Sequence, residues 1–433
     1  MLKQNTEPDP APDFAAFLAI DWADEEHAFH LQVVGQSKIE TGTLEQKPEV
    51  LGPWLAKLRE RLGGRPIAVG LEQSRGALIH ALMAYDFLVL YPIHPTTVAK
   101  YREAFKSSGA KNDPLDAGQI LEILTKHQDR LHRLNPDTVE TRRLGRLVED
   151  RRKAVDLRTT HVQALGANLK EYYPQALELT HGNLSSRLAG DLLLKWPTFE
   201  DFQQAKPSTL KRFYYGHNVR SPEVIERVLT LAQKSQALTT DPAIVESGRR
   251  LTQMYARLIQ ALNPAIEDYE QRIQRVFDAH PEVKIFTGLP GAGPALAPRL
   301  LAFFGTDRSR YAAAFNVQSF TGIAPVTKSS GKSKVVYARA ACPKFDRQTF
   351  HEFSRLSVTN CQWARNYVQY YTAKGKKYHT IIRALAYKWI RILWKCWQER
   401  TPYNEDKYME TLKLRGSIFA TWPASAENHR LQV

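Results

Sequence analysis

Four acidic residues stand where carboxylates can act together: Asp21, Glu72, Asp113 and Asp116. Asp21 ends the apolar run Phe17-Leu-Ala-Ile, and Glu72 closes the run that begins at Pro66, so both are expected at the ends of strands. Asp113 and Asp116 are three residues apart at the start of a helix reaching about Lys126, and such a pair shares one helical face. Asp113 followed by Pro114 reads as an N-cap with proline at the first helical position. Any one of the four alone is an ordinary surface charge or cap. Brought together, they repel unless cations lie between them. Two Mg²⁺ ions answer that need: they take carboxylate oxygens in octahedral geometry and, about 3.5–4 Å apart, clamp a phosphodiester.

The elements that must position these groups are an alternating series. His27–Val34 and Lys38–Leu44 read as strands after the first one, and Phe87–Tyr91 as another. Val50, Leu51, Trp54, Leu55, Leu58 and Leu62 make one face of a helix over 48–62, ended by Gly63-Gly64. A second helix is expected over 75–85. Three strands, helix, strand, helix, strand is the order of an α/β sheet. The stretch from Pro95 to Asn112 is polar and basic (Lys100, Arg102, Lys106, Lys111) and reads as a mobile loop or weak helix.

Residues 137–173 are strongly helical. Val148, Val155, Val162 and Leu169 recur every seven residues, which suggests one strand of a coiled coil. Helix returns over 222–275, with breaks expected near Pro242 and Pro264, and residues 196–220 are mixed in character. The region reads as an all-helical insertion or dimerisation element. From Ile285 to Pro294 three glycines and two prolines make a turn of the helix–hairpin–helix kind, whose amides can hold a phosphate, or a plain structural turn.

Composition narrows the partner. The 433 residues carry 60 Lys+Arg against 45 Asp+Glu, a net +15, which favours nucleic acid over a merely soluble basic enzyme. Between Lys332 and Arg400 there are 15 basic and 3 acidic residues, so most of the excess sits there, interleaved with aromatic residues. Basic side chains neutralise phosphates and exposed rings stack on bases, but the spacing of Trp389, Ile390, Leu393 and Trp397 reads as helical core. With 43% hydrophobic and 24% charged residues, wholesale disorder is excluded. No apolar run is long enough to be a membrane helix, and the acidic, Pro-containing N-terminus does not resemble a signal peptide. Three scattered cysteines suit neither a disulfide framework nor a zinc site, so a cytoplasmic protein is expected.

Ala-Ile-Asp-Trp at 19–22, Leu-Glu-Gln-Ser-Arg-Gly at 71–76 and Lys-Asn-Asp-Pro-Leu-Asp-Ala at 111–117 resemble the motifs of the DEDD transposases. These form the bridge-RNA insertion-sequence family one-ten, relatives of the Piv-type DNA invertases. Gly288-Leu-Pro-Gly-Ala-Gly resembles the opening of the family's C-terminal domain, and Gly322-Ile-Ala-Pro with Ser330-Gly331 its serine motif. The resemblance covers about 16–126 and 283–400.

It implies a multi-domain α/β plus all-α fold. A flexible N-terminus (1–15) precedes a RuvC-like, RNase-H-type domain (16–130). A helical coiled-coil linker and dimerisation region (131–282), a mainly helical C-terminal transposase domain (283–400) and a polar tail (401–433) follow. It further implies Ser330 as nucleophile, rather than Ser329, because the family's serine directly precedes the glycine. Lys328, Lys332 and Lys334 would steady the phosphorane charge, and Lys374, Lys376 and Lys377 would bind backbone phosphate. Mg²⁺, two ions per composite site in the family's manner, would be held by Asp21, Glu72, Asp113 and Asp116. The implied partners are a bridge-type non-coding RNA, target and donor DNA, and further copies of the chain in a dimer or tetramer, working at the bacterial nucleoid. Without the resemblance, Ser-Ser-Gly is an ordinary loop. A purely hydrolytic RuvC-like nuclease and a non-catalytic nucleic-acid-binding protein remain the competing readings.

Overall fold

Alternating apolar residues set the first sheet. In the computed structural model, which describes residues 12–105, 113–331 and 333–422 (only the backbone for 113–115), the chain divides into two compact units, Met1–Pro136 and Asp137–Val433. The first holds strands β1 (Ala16–Asp21), β2 (Glu26–Val33), β3 (Ile39–Glu45), β4 (Ile67–Leu71) and β5 (Leu88–Pro92), in the order β3-β2-β1-β4-β5. β2 is antiparallel to β1 and β3, while β4 runs parallel to β1 and β5. The central strands are covered on both faces, which is why Phe17–Ile20 and Ile67–Leu71 are almost wholly apolar. Leu18, Ile20, Ile67, Val69 and Leu71 form one core with α1 (Pro48–Arg61) and α2 (Ala77–Leu82).

The opposite face receives α3 (Pro95–Phe105) and α4 (Asp113–Lys126). The basic stretch expected as a mobile loop or weak helix is therefore helix up to Phe105. Val98, completely buried, anchors it, and the Tyr101 and Phe105 rings lie 4.8 Å apart along its side. One apolar residue per turn was enough to dock a helix whose composition is otherwise polar. Residues 106–112, with Lys106 and Lys111, lie outside the described residues. α4 is described from Asp113 onward, where the sequence places the start of the helix.

In the second unit α5 (Val139–Tyr172) is followed by the short helices α6 (Gln175–Leu179), α7 (Arg187–Lys195), α8 (Phe199–Gln203), α9 (Pro207–Gly216) and α10 (Pro222–Lys234), then by α11 (Pro242–Asp278). α5 and α11 pair antiparallel: Arg151 bonds Glu270 at 2.5 Å, Arg158 donates to Asn263 at 3.0 Å and Asn168 to the Gly248 carbonyl at 2.9 Å. The heptad residues thus have a partner inside the chain. Val148 and Leu169 are buried, Val155 and Val162 half-buried, and Val162 packs on the core of the middle helices. α11 also runs unbroken through Pro264. Packing on α5, with Asn263 bonded to Arg158 and to the Ser185 carbonyl, outweighs the single backbone bond that proline removes.

A larger core closes the unit. It joins α12 (Val283–Phe286), α13 (Gly293–Phe304), α14 (Ala314–Phe320), α15 (Lys344–Asn360), α16 (Gln362–Ala373), α17 (Tyr378–Glu399) and α18 (Glu405–Leu414). Trp363, Trp389 and Trp397 are fully buried in it, as the helical spacing of the last two predicts. Trp389 donates to Ser357 Oγ at 2.8 Å and Trp397 to the Gly305 carbonyl at 2.7 Å, so burial leaves no indole N–H unpaired. The polar tail expected after residue 400 instead folds back up to Trp422: Trp363 donates to Tyr403 Oη, and Asn366 to the Phe419 carbonyl.

Candidate active site

Asp21 is the last residue of β1, and Glu72 directly follows β4. The register pairs Ile20 with Leu71, so Asp21 and Glu72 come next on neighbouring parallel strands, which lie about 4.8 Å apart. Alternation decides which way they face. Leu18, Ile20, Val69 and Leu71 point to the α1–α2 core, whereas Ala19 and Gly70 face α4. Asp21 and Glu72 have the parity of the second set, the α4 side.

The direction of α4 follows from its contacts. A Cβ on Gly70 would lie 3.0 Å from Ile120 and 3.3 Å from Leu124, and Leu124 packs with Phe14 and Ala68 toward the starts of the strands. Gly118 passes His30, whose strand neighbour is Ala19, and burial lowers the pKa of that histidine. α4 therefore runs against β1 and β4, and its first turn, with Asp113 and Asp116, lies toward the edge where the two strands end. This arrangement follows from glycines at 70 and 118, which let helix and sheet approach closely.

Asp116 is 95% buried, and its carboxylate is ion-paired with Arg102 of α3. Arg102 Nε also donates to Gln119 Oε1 at 3.3 Å. The guanidinium supplies the positive charge without which a buried carboxylate is costly. Arg102 is the residue that the sequence reading missed. Its signal was present, a basic residue at helical spacing from buried Val98, but hidden once the stretch was read as a mobile loop or weak helix.

The donor chemistry of this edge suits a hard divalent cation, since every acidic candidate offers carboxylate oxygen. Among the described residues, however, no three His, Cys, Asp or Glu side chains stand together as a metal-holding group. Asp21 and Glu72 are brought side by side, Asp116 is held by Arg102, and the Asp113 side chain lies outside the described residues. A metal at this edge would be held by Asp21 and Glu72, with the first turn of α4 delivering the further oxygen ligands.

Ser330 lies not in a loop but at the end of β6 (Val326–Ser330), which pairs antiparallel with β7 (Ser333–Tyr337) in a solvent-exposed hairpin. Gly331 turns the chain with φ of 54°, the left-handed region where glycine carries no steric cost. Ser330 pairs with Ser333, Ser329 with Lys334 and Lys328 with Val335. Successive strand residues face opposite sides, so Ser330 shares its face with Lys328, while Ser329 shares the other with Lys334. An open concavity of 570 Å³ is bordered by Lys328, Ser329, Ser330, Ser333, Val335 and Tyr337, so both serines reach its rim. Lys328 Nζ stands 5.9 Å over the Tyr337 ring. Lys332 lies outside the described residues.

Lys374, Lys376 and Lys377 are exposed on the turn from α16 to α17, with Lys374 Nζ 4.4 Å over the Tyr370 ring. The glycine-rich turn before α13 has a packing reason: a Cβ on Gly291 would lie 2.5 Å from the backbone of Leu356, so glycine is what lets the turn press on α15.

The DEDD transposase model of the IS110 family matches residues 18–174, and that of the transposase IS116/IS110/IS902 family matches residues 283–369. A Streptomyces coelicolor mini-circle protein, provisionally named as transposase for IS117, is 29% identical over 75% of this chain and 79% of its own length. The 42 kDa protein of insertion element IS900 from Mycobacterium paratuberculosis is 24% identical over 78% of this chain and 84% of its own. The 44.8 kDa protein of insertion element IS116 from Streptomyces clavuligerus is 24% identical over 90% of this chain and 96% of its own. Both family models match in order and together cover more than half of the residues, with the strand-end carboxylates in the first and the serine hairpin in the second: the chain belongs to the IS110/IS116 family of transposases.

Proposed function

We propose that this transposase cuts and rejoins DNA through a covalent phosphoserine at Ser330, with divalent metal at Asp21, Glu72, Asp113 and Asp116. The observation that carries the proposal is the side-by-side ending of two parallel strands in Asp21 and Glu72, beneath the N-terminal side of α4. A mixed sheet with acidic residues at its central strand ends supports a RuvC-like, RNase-H-type reading of the first unit. Ser330 Oγ attacks a backbone phosphorus and gives up its proton, a P–O bond to serine forms, and the bond to one DNA oxygen breaks, that oxygen leaving as a hydroxyl with a proton gained in exchange. The phosphodiester energy stays in the serine ester, so a hydroxyl of another strand can displace Ser330 and rejoin the backbone. Lys328, on the face of Ser330, steadies the charge on the phosphorane oxygens. Bound at the carboxylate edge, Mg²⁺ supplies Lewis-acid stabilisation of attacking and leaving oxygens. Sites are chosen by base pairing of a structured bridge-type RNA with target and donor DNA, as in other RNA-guided systems. The chain acts as a dimer or tetramer with composite sites.

The test is trapping on a nicked duplex followed by mass-spectrometric mapping of the DNA-linked peptide. An adduct on Ser330 is expected, lost in Ser330→Ala and retained in Ser329→Ala. Lys328→Met should slow adduct formation more than Lys334→Met, because only Lys328 shares the nucleophile's face. Asp21→Asn and Glu72→Gln should abolish cleavage with binding intact. A hydrolytic RuvC-like nuclease is the second reading, favoured by the carboxylate edge lying within the first unit by itself. Efficient cutting without any adduct would establish it instead.

A further inference from the structure

α15 carries Arg347 and His351 four residues apart, and α17 carries His379 and Arg383 at the same spacing, so each pair shares one face of its helix. The two helices pack together, with the Phe353 and Trp389 ring centroids 5.0 Å apart. Burial and then the fields of Arg383, Arg347 and His379 lower the pKa of His351, so two guanidinium groups and a second imidazole lie around it. None of the four has an ion-pair partner among the described residues. Glu352, a carboxylate of the same helix, is already bonded by Arg299 and Arg152. Asp346 is engaged as well. From the cluster, Arg347 Nη1 donates to the Arg339 carbonyl at 3.2 Å. The Nε atoms of Arg339 and Arg383 are buried with no acceptor among the described residues. Donors buried beside like charges call for an anion with several oxygens, and guanidinium groups meet phosphate in fork geometry.

Position says which phosphate. Arg339 lies two residues beyond β7, so the cluster stands at the root of the hairpin whose tip carries Ser330. Five strand residues span about 17 Å. A phosphate held at the root is therefore not the one attacked but one farther along, about five base pairs away at the rise of a duplex. Lys376 and Lys377 stand three and two residues before His379 and continue the positive track.

We propose that Arg347, His351, His379 and Arg383 bind a backbone phosphate of the DNA that the Ser330 hairpin engages, a contact that sets the reach between grip and cut. They are positioning residues, and the inference rests on the reading of the chain as a DNA recombinase.

The experiment uses the full chain carrying Ser330→Ala, so that binding is read without cleavage. Fluorescence anisotropy over a salt series is recorded with a labelled DNA duplex and with a labelled single-stranded RNA. Arg347→Gln/Arg383→Gln should lower the duplex log–log slope by about 0.9, the value for one lost phosphate contact, and leave the RNA slope unchanged. The control Lys413→Gln, exposed on α18, should change neither. The exposed His379→Glu, which cannot disturb the core, should weaken duplex binding about tenfold, 1.4 kcal/mol, and guards against misfolding of the double variant. A loss confined to RNA, or an unchanged duplex slope with unchanged His379→Glu affinity, overturns the proposal. Failure of the parent chain to bind duplex at all would instead overturn the recombinase reading.

Discussion

At the scale of residues, the ion pair between Arg102 and Asp116 ties α3 to α4. Their side chains are 20% and 7% exposed, so the pair is mostly shielded from water. Removing only the guanidinium strands a buried carboxylate, and Arg102→Met should cost on the order of 3 kcal/mol in urea unfolding. Arg102→Met with Asp116→Asn should recover much of that loss; equal losses in single and double variants would show that the pair is decorative. Two other residues set the response to acid. Burial lowers the pKa of His280; its Nδ1 accepts from the Glu282 amide, so Nε2–H donates to Thr141 Oγ1 at 2.9 Å. Its stabilisation is complete above about 6.5 and fades as pH falls toward the lowered folded value. Burial of Asp137 works against its charge, but bonds from Thr306 Oγ1 at 2.6 Å, the Thr306 amide at 2.8 Å and the Thr138 amide at 2.7 Å prevail and lower its pKa. That contribution holds above about 3.8 and is lost below it. Thermal melts should therefore fall in two stages on acidification. His280→Asn should shrink the first stage, to which His30 and His351 with their lowered pKa also contribute, while leaving the second, and a first stage unchanged in that variant would contradict the assignment.

At the scale of elements, the heptad valines of α5 are accounted for by α11. Val162 packs among the middle helices, and the antiparallel pair is pinned by Arg151–Glu270 and Asn168–Gly248. Val155→Asp/Val162→Asp should thus destabilise the helical unit, by about 1–3 kcal/mol, without changing the mass in solution. A drop in mass by light scattering would return the valines to an interface between copies. The heptad period was legible because it reports burial along one helical stripe. Which helix covers the stripe was not, since a coiled-coil seam has the same pattern whether its partner is another molecule or lies eighty residues on. Pro264 misleads for a related reason: proline's local cost is visible in the sequence, but the tertiary packing that offsets it is not.

At the scale of the whole molecule, the positive excess gathers in the second half, and its exposed part includes Lys374, Lys376 and Lys377. Charge reversal of these three should flatten the salt dependence of nucleic-acid binding by about 0.7–0.9 per contact removed, and an unchanged slope would make them solvating charges only. The aromatic residues among them divide by burial. Trp363, Trp389 and Trp397 belong to the core, whereas Tyr337 and Tyr378 are exposed enough to meet a ligand. The sequence alone determined the five strands of the first sheet, because period-two alternation and apolar runs state burial directly; the exposed β6–β7 hairpin, which buries no face, left no such signal. It also determined that acidic residues follow two of them and that a helix begins at Asp113. Tertiary structure alone decided that Asp21 and Glu72 end neighbouring parallel strands on the α4 side. It also decided that Arg102 closes on Asp116 from another helix and that Ser329 and Ser330 face opposite ways on a hairpin. Those facts depend on register, helix direction and strand parity, which are relations between distant segments, and no local pattern of residues encodes them.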